Sequence, residues 1–433
     1  MVGIKGIYVP HNKNTSGSTP TIIKTPNEVR IPMKMHAGAP AAPVVNIGRM
    51  VKIGELIGDA FKGKVSAPVH ASVSGRVKSI DQFNPLTGEE EVSVVITADE
   101  NQTMFEGLTP PTVTNTQEFL SAVQDSGVVG LGGAGYPTAP KLTLREGVNI
   151  DYILVNGAEC EPYITSDTRA MVDSTQDVFY GCLLMKKYID PKQVIICIED
   201  NKPEAITKLK ELTKTTDGIS VHVLPSSYPQ GERKVLVYNV TGRIVPEGAR
   251  LPDVGCIVLN CTTVAVFAHY IRTGMPLTHR VVTVDGSAVK NPQNVIAPIG
   301  TPIHHIFEHC GGFKDEVGKI IMGGPMMGTA VPNTDMPLLK YNNALLAFNK
   351  RDSKPPMEVP CIKCGRCIEN CPMKLMPSHI EDAYERDDIQ MLTKLKVGMC
   401  VECGCCAYLC PSKRPLAQAI KLASNMEWEA RRK

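Results

Sequence analysis

The chain has 433 residues, enough for two to four domains, and its 46 lysine and arginine residues against 44 aspartate and glutamate residues give a formal net charge of +2. This balance offers no basic surface for nucleic acid or for an anionic membrane. The most apolar segment, 255–271, is too short and too polar to cross a bilayer, and residues 1–10 lack the apolar core of a signal peptide, so we expect a soluble protein.

Short strands at regular spacing are predicted near the N-terminus. Segments 44–58 and 67–80 contain the turns G-x2-V-x2-G and S-G-x-V, and they resemble the two halves of a biotinyl/lipoyl-type barrel-sandwich hybrid. Such domains often carry a cofactor on a lysine between the halves, but Lys34, the one flanked by methionines, precedes the first half. We therefore expect residues 1–112 to include an unmodified barrel-sandwich hybrid.

The middle of the chain alternates strand-like and helix-like segments. Apolar runs predict strands at 151–157, 193–200, 219–225 and 256–260. Helical patterns separate them at 116–127, 174–189 and 202–214. Short apolar strands joined by helical crossovers indicate a Rossmann-like, largely parallel sheet that is covered on both faces, over residues 113–278.

The sequence GLGGAGYPTAPK (130–141), called here the glycine loop, is the first candidate binding site. It matches G-x-G-x-x-G at Gly130, Gly132 and Gly135. No strand precedes it and two prolines interrupt any long helix, so it lacks the context of a dinucleotide fingerprint. Its glycines let backbone N–H groups approach a phosphate, with Lys141 adding a positive charge and Tyr136 a ring. The alternative is a flexible glycine hinge.

The sequence NGAECEPYITSD (156–167) follows the first strand of the predicted sheet. In open α/β sheets, ligands bind outside the carboxyl ends of the strands. Asn156, Glu159 and Glu161 therefore lie where we expect a cofactor.

Together these two motifs resemble the flavin and NADH motifs of the flavoprotein subunit of respiratory complex I. The chain resembles the RnfC family still more closely, along nearly its whole length. This resemblance implies non-covalent FMN bound by Gly130, Gly132, Gly133, Gly135, Lys141, Asn156, Glu159, Gly231, Glu232, Asn260 and Thr263. It implies that NADH is placed by Tyr136 and Glu161. Two departures from the complex I pattern, Ala158 and Arg233, bear on the nicotinamide more than on the flavin.

Two further regions follow the predicted flavin domain. Residues 279–348 resemble the small SLBB-like β-grasp domain that follows the flavin domain in complex I relatives. The polar, proline-rich segment 349–360 is typical of a linker. It leads to a predicted C-terminal domain, 349–433, with most of the cysteines.

Nine of the fifteen cysteines fall within 361–410. With no export signal, this density favours metal ligation in a reducing compartment over disulfides. Two runs, one starting at Cys361 and the other at Cys400, follow the bacterial iron–sulfur pattern C-x2-C-x2-C-x3-C-P, in which the fourth cysteine binds the other cluster. We therefore assign one [4Fe–4S] cluster to Cys361, Cys364, Cys367 and Cys410 (the first run with the last cysteine of the second). We assign the other to Cys400, Cys403, Cys406 and Cys371.

Zinc is the alternative for these cysteines, but four-coordinate zinc gains nothing from a third cysteine at fixed spacing. Cys405 lies off the pattern and is expected to be a packed neighbour. The segment 379–397 between the runs has a helix-forming composition. The domain is therefore predicted to be a two-cluster, ferredoxin-type domain with a helical insert.

These features predict an oxidoreductase subunit that exchanges electrons between NAD(H), FMN and two [4Fe–4S] clusters. The resemblance implies a membrane-bound, ion-translocating Rnf-type complex, with other peripheral and membrane subunits as partners, ferredoxin as an indirect one, and a place on the cytoplasmic face. One alternative is a soluble carrier that feeds a different reductase. Another is an iron–sulfur scaffold or sensor without turnover.

Overall fold

The computed structural model describes residue 4 and residues 6–84 and 90–432. Residues 1–3, 5 and 85–89 of the predicted first domain and residue 433 of the last lie outside the described residues. The described chain forms three domains built on sheets and one helical domain. The predicted multidomain α/β architecture is confirmed.

Two small antiparallel sheets form the N-terminal domain. Its strands are β1 (Thr21–Ile22), β2 (Glu28–Pro32), β3 (Ala42–Pro43), β4 (Met50–Val51), β5 (Leu56–Asp59), β6 (Val69–His70), β7 (Gly75–Phe83) and β8 (Glu91–Ala98). One sheet has the order β2-β8-β7-β4 and the other β3-β5-β6. Strand β1 belongs to neither of them and pairs with the sheet of the third domain. Lys34 follows β2 and forms an ion pair with Glu91 (3.4 Å), so it does not stand at the tip of a turn between the two halves.

The second domain is a parallel sheet with helices. Its elements are α1 (Thr116–Asp125), α2 (Thr138–Leu142), β9 (Tyr152–Gly157), α3 (Ser166–Asp173), α4 (Thr175–Tyr188), β10 (Gln193–Glu199), α5 (Pro203–Thr213), β11 (Ile219–Leu224), α6 (Arg233–Thr241), a 3₁₀-helix (Leu251–Val254), β12 (Cys256–Asn260) and α7 (Cys261–Thr273). The predicted strands agree with these bounds to within one residue. The apolar segment 255–271 consists of strand β12 followed directly by helix α7.

The order of the parallel sheet is β11-β10-β9-β12. The chain adds β10 and β11 on one side of β9 and then returns to add β12 on the other side. A switch of direction of this kind opens a crevice at the carboxyl ends of the two strands that flank it. Here those ends carry Asn156 and Asn260, which pair in register.

The third domain is a mixed sheet with one helix. It contains β13 (His279–Asp285), β14 (Gln293–Pro298), α8 (Ile303–His309), β15 (Val317–Met322), β16 (Thr329–Val331) and β17 (Ala344–Asn349). Its strand order is β1-β14-β13-β17-β15-β16, so β1 pairs in parallel with β14. The sequence did not predict this exchange, because β1 has two exposed residues and no alternation to mark it.

The C-terminal domain is helical and has an internal repeat. Its helices are α9 (Arg366–Glu369), α10 (Pro377–Tyr384), α11 (Ile389–Lys394), a 3₁₀-helix (Val397–Met399), α12 (Cys405–Tyr408) and α13 (Leu416–Arg432). The offset in sequence that relates Cys361 to Cys400 also relates the start of α9 to the start of α12, and the start of α10 to the start of α13. Lys363 and Glu402 share a left-handed backbone, with φ of 54° and 53°. The two cysteine runs therefore have the same local fold.

The insert between the runs differs from the prediction. It consists of two helices, α10 and α11, instead of one helical stretch over 379–397. The chain turns at Asp387, whose φ is 53°, and the Asp388 side chain then caps α11 by accepting a hydrogen bond from the Met391 N–H (2.9 Å). An aspartate that caps a new helix ends the previous one, because capping requires non-helical backbone.

Lys340 joins the first three domains. Its side chain is fully buried, and its ammonium nitrogen donates to the carbonyls of Pro68 (2.5 Å) and Gly127 (2.7 Å). Burial lowers the pKa of Lys340 to about 7. The relative placement of the N-terminal domain and the parallel sheet therefore depends on a residue from the third domain.

We expect Lys340→Met to lower the free energy of unfolding by about 2–4 kcal/mol, because each buried acceptor left unsatisfied costs about 1–3 kcal/mol. Urea denaturation measures the change. Lys210→Met is the control, since Lys210 is exposed and forms no ion pair among the described residues. An unchanged unfolding midpoint in the Lys340 variant would show that these bonds do not hold the domains together.

Candidate functional site

The glycine loop lies against the carboxyl end of β12. The Leu131 N–H donates to the Thr263 hydroxyl (2.9 Å), and that hydroxyl donates to the Val129 carbonyl (3.2 Å). Asn260 caps helix α7 by accepting from the Thr263 N–H (3.2 Å). A Cβ on Gly132 would come within 3.0 Å of the Asn260 amide. Asn260 and Thr263 thus position the loop at the switch point of the sheet.

One face of the glycine loop is open. Gly132, Gly133 and Ala134 are exposed, and a Cβ on Gly133 would meet nothing within 4 Å. The φ of Gly133 is 109°, a backbone conformation that residues with a Cβ rarely adopt. The Gly130 N–H donates to the carbonyl of half-buried Tyr136 (2.8 Å), and this hydrogen bond joins the two ends of the glycine-rich segment. The exposed glycines present backbone to a ligand without obstruction.

Lys141, in helix α2, is a cation without a counter-ion among the described residues. Burial and the nearby Arg233 guanidinium lower its pKa to about 8. Two cations held close together favour an anion between or beside them. A phosphate group fits this position, and FMN carries one. The residues present therefore suit FMN.

The loop YPQGERK (228–234) crosses the carboxyl end of β9. The Asn156 amide donates to the Gly231 carbonyl (2.8 Å), and the Gly231 N–H donates to the Cys160 sulfur (3.3 Å). Glu232 caps helix α6 by accepting from the N–H groups of Lys234 and Val235. The predicted residues Asn156, Gly231 and Glu232 are therefore brought to the same edge of the sheet as the glycine loop.

The carboxylate of Glu159 accepts hydrogen bonds from other groups of the protein. It accepts from the Asp167 N–H (2.6 Å) and from the N–H and hydroxyl of Thr168, so it caps helix α3. Burial raises the pKa of Glu159. The Lys13 ammonium holds the same segment by donating to the carbonyls of Glu159 (2.7 Å), Glu161 (2.8 Å) and Ile164 (2.5 Å). Glu159 thus fixes the segment that follows β9.

Glu161 points towards the cysteine-rich domain. Its carboxylate accepts from the Met326 N–H (3.0 Å) and lies 3.4 Å from the Tyr228 hydroxyl. That hydroxyl donates to the carbonyl of Cys403 (2.7 Å). Burial raises the pKa of Glu161 to about 7. Glu161 and Tyr228 therefore form the joint between the parallel sheet, the third domain and the second cysteine run.

The structure brings four of the assigned cysteines together. Cys371, Cys400, Cys403 and Cys406 line one small cavity. Backbone N–H groups point at two of the sulfurs, from Glu402 to Cys400 (3.4 Å) and from Leu375 to Cys371 (3.4 Å). The cavity therefore contains the ligand set assigned to the second cluster, including the cysteine from the other run, and Cys405 lines it as well.

The other four assigned cysteines differ in exposure. Cys361 and Cys364 are exposed, Cys367 is half-buried and Cys410 is buried. The Val359 N–H donates to the Ser412 carbonyl (3.0 Å), and the Ser412 hydroxyl donates to the Pro360 carbonyl (3.0 Å). These bonds place the start of the first run beside the end of the second.

Within the described ranges, no group of three or more His, Cys, Asp or Glu side chains is close enough to hold a single metal ion. In a [4Fe–4S] cluster each cysteine binds a different iron, so its thiols need not converge on one point. Cys405 is 1% exposed and packs with Ile7, Val9 and Tyr228. Cys405 is thus packed, as expected, but it also lines the cavity of the assigned ligands, so its exclusion from the cluster stays a prediction.

Sequence reasoning missed several residues that support the site. Arg280 is buried in β13 and donates to the carbonyls of Leu131 (3.2 Å) and Asn342 (3.1 Å). Asp167 accepts from Asn260 (2.6 Å) and from Thr262 (2.6 Å). Lys13 and Arg280 carry no local signal, since their partners lie in distant parts of the sequence. A local signal was available for Tyr228, because it lies three residues before Gly231, which the resemblance assigned to the flavin site.

No helix in the part of the chain that the structure describes is long and apolar enough to cross a membrane.

Four family models match successive parts of the chain. They are the RnfC barrel sandwich hybrid domain (residues 3–101), the Nuo51 FMN-binding domain (123–269), the SLBB domain (281–330) and the 4Fe-4S dicluster domain (360–413). Their order is the one predicted from the sequence. The matches to the FMN-binding and dicluster domains agree with the two cofactor types inferred above.

A solved structure shares the fold. The NAD+-reducing [NiFe]-hydrogenase in its air-oxidised state superposes with a TM-score of 0.50 at 16% identity, covering 65% of this chain and 54% of that chain. At this identity the likeness shows the fold alone.

Curated relatives match along most of the chain. The C subunit of the proton-translocating ferredoxin:NAD(+) oxidoreductase complex of Clostridium ljungdahlii is 39% identical, covering 88% of this chain and 84% of that protein. The C subunit of the Na(+)-translocating complex of Acetobacterium woodii is 38% identical, covering 88% and 87%. The corresponding protein of Rhodobacter capsulatus is 35% identical, covering 96% and 81%. The chain therefore belongs to the RnfC family, whose members are the C subunits of ion-translocating oxidoreductase complexes.

Proposed function

We propose that the chain is the subunit of an ion-translocating ferredoxin:NAD+ oxidoreductase complex that exchanges electrons between NAD(H), FMN and two [4Fe–4S] clusters. The observation that carries this proposal is the hydrogen bond from Tyr228 to Cys403 (2.7 Å), because it joins the edge of the sheet that holds the glycine loop to a cluster-ligand loop. When bound, the flavin exchanges two electrons with a nicotinamide and single electrons with the clusters.

For FMN, we propose that Lys141 and the backbone of Gly130, Gly132, Gly133 and Gly135 hold the phosphate and the adjoining part of the ligand. The remaining predicted residues position the surrounding loops through the hydrogen bonds described above: Asn156, Glu159, Gly231, Glu232, Asn260 and Thr263. For NAD(H), Tyr136 is proposed to stack against the nicotinamide. Glu161, held at the joint with the cysteine-rich domain, is proposed to border the nicotinamide site.

For the clusters, we propose the two ligand sets assigned from the sequence. The shared cavity supports the set of Cys371, Cys400, Cys403 and Cys406. The repeated backbone of the two runs supports the equivalent set of Cys361, Cys364, Cys367 and Cys410. N–H groups directed at cysteine sulfurs stabilise the thiolate form that ligates iron.

We propose the domain limits 1–112, 113–278, 279–348 and 349–433, which fall between the matched family models. We also propose that the chain binds its partner subunits at the cytoplasmic face of the membrane, where NAD(H) and ferredoxin are available.

The sharpest test of the flavin site is Lys141→Met in anaerobically purified protein. We expect the Kd for FMN to rise about 10- to 100-fold, because a hydrogen bond to a charged group contributes about 1.5–3 kcal/mol. Fluorescence titration of the flavin-free protein with FMN measures this, and Lys210→Met is the matched control on an exposed helix.

An unchanged Kd in the Lys141 variant would exclude Lys141 as a phosphate-binding residue. It would favour the alternative interpretation of the glycine loop as a flexible hinge. A wild-type chain whose flavin absorbance does not bleach with NADH would instead support the scaffold or sensor alternative. The two results are separate, since the first concerns one side chain and the second the activity itself.

A further inference from the structure

The two cysteine runs have the same backbone, but residues of the second run are buried where their counterparts in the first run are exposed. In the second run, Cys403 and Cys405 are buried against Tyr228. In the first run, the equivalent residues Cys364 and Arg366 are exposed. The cluster held by the second run is therefore the one next to the flavin domain, and the cluster held by the first run lies at the protein surface.

The side chains around the first run are also more exposed, or less paired, than their counterparts in the second run. Ile362 is 65% exposed, whereas its counterpart Val401 is partly buried. Lys363 is exposed and has no ion pair among the described residues, whereas its counterpart Glu402 pairs with Lys421 (3.2 Å). Since the local fold is repeated, the difference in exposure comes from what packs against each run, and the difference in charge comes from the residue types at equivalent positions.

A basic and apolar surface results, which we call the exit face: Met357, Ile362, Lys363, Arg366 and Lys413. Met357 is 85% exposed. The three basic side chains form no ion pair or hydrogen bond with any described residue. The same segments also contain two exposed glutamates, Glu369 and Glu358, and Glu358 is paired with Arg414 (3.3 Å). The exit face thus carries unneutralised positive charge beside two exposed cluster ligands.

We propose that the exit face docks an acidic subunit of the membrane complex that bears a one-electron redox centre. The inference rests on the proposed function, because it requires the first-run cluster. A cluster held by Cys361, Cys364, Cys367 and Cys410 would exchange one electron with the partner's centre, with one oxidised as the other is reduced and no proton or bond transferred. Positive charge on one side selects and steers a negative surface on the other, and the apolar side chains allow close approach.

The test is Lys363→Glu combined with Arg366→Glu in the full chain. Glutamate is accepted at position 363, because Glu402 has the same left-handed backbone in the second run. The matched control is Lys210→Glu with Lys214→Glu, two exposed lysines of α5 and its C-terminal cap that form no ion pair among the described residues. Each protein is added to membranes from which the native subunit has been washed, and binding is measured by co-sedimentation at several salt concentrations.

We expect the Lys363/Arg366 variant to bind about tenfold more weakly at low salt and to lose most of the salt dependence that the wild type shows. Its iron content and the bleaching of its flavin by NADH are expected to match the wild type. Wild-type binding with unchanged salt dependence in this variant would overturn the proposal.

Normal membrane binding combined with a loss of electron exchange with a soluble acidic ferredoxin would also overturn it, since the surface would then serve a soluble carrier. Failure of the proposed function has a different signature: the wild-type chain itself would lack cluster iron or NADH-dependent bleaching.

Discussion

Replacing Cys406 with alanine is expected to remove one whole cluster, about four of the eight iron atoms per chain, whereas Cys405→Ala is expected to keep all of them. The two cysteines are adjacent in sequence, and both line the cavity that contains Cys371, Cys400 and Cys403. They differ in pattern: Cys406 has its counterpart in Cys367, and Cys405 has its counterpart in Arg366, which cannot bind iron. We therefore expect Cys406→Ala to lose nearly all the iron of this cluster and Cys405→Ala to lose almost none.

Iron analysis and electron paramagnetic resonance of the reduced proteins measure the difference. The Cys405 variant controls for the loss of a buried thiol, which costs only about 1 kcal/mol when the group is small and merely packed. Equal loss of iron from both variants would refute the ligand assignment. Loss of iron from Cys405→Ala alone would mean that Cys405, and not Cys406, is the third ligand that the second run supplies to this cluster.

The cysteine runs were predictable from the sequence because their information is local. The spacing within a run determines which sulfurs share a loop, and the repeat of the run appears again in the helices and in the left-handed residues Lys363 and Glu402. The four strands of the parallel sheet were predictable for a similar reason. Each is a short apolar run bounded by a helix.

What the sequence did not reveal depends on contacts between distant segments. Lys13 holds three carbonyls after β9 from a position near the start of the chain, and Arg280 supports the glycine loop from the third domain. Glu159 was predicted at the correct edge of the sheet, but a sequence does not show that its carboxylate caps helix α3. Different environments of two identical backbones, as in the cysteine runs, likewise follow only from the packing.

Gly133→Val is expected to raise the Kd for FMN by at least about 100-fold, equivalent to about 3 kcal/mol. A Cβ at this position meets no protein atom within 4 Å, so the space it would enter belongs to whatever binds the open face of the loop. Valine also disfavours the φ of 109° observed here, and this strain costs about 1–3 kcal/mol of stability. Flavin binding and stability must therefore be measured separately, by fluorescence titration and by urea denaturation.

Gly147→Val separates the two effects, because Gly147 lies in the same domain, has a φ of 79° and also has nothing within 4 Å of its Cβ position. We expect this control to lose stability and keep its affinity for FMN. Valine strains the backbone at both positions, but only Gly133 is proposed to contact FMN. If the Gly133 and Gly147 variants retain FMN equally, the glycine loop is not the flavin cradle and Lys141 has no phosphate to neutralise. If both lose it in proportion to their loss of stability, the domain as a whole, and not the open face of Gly133, controls flavin binding.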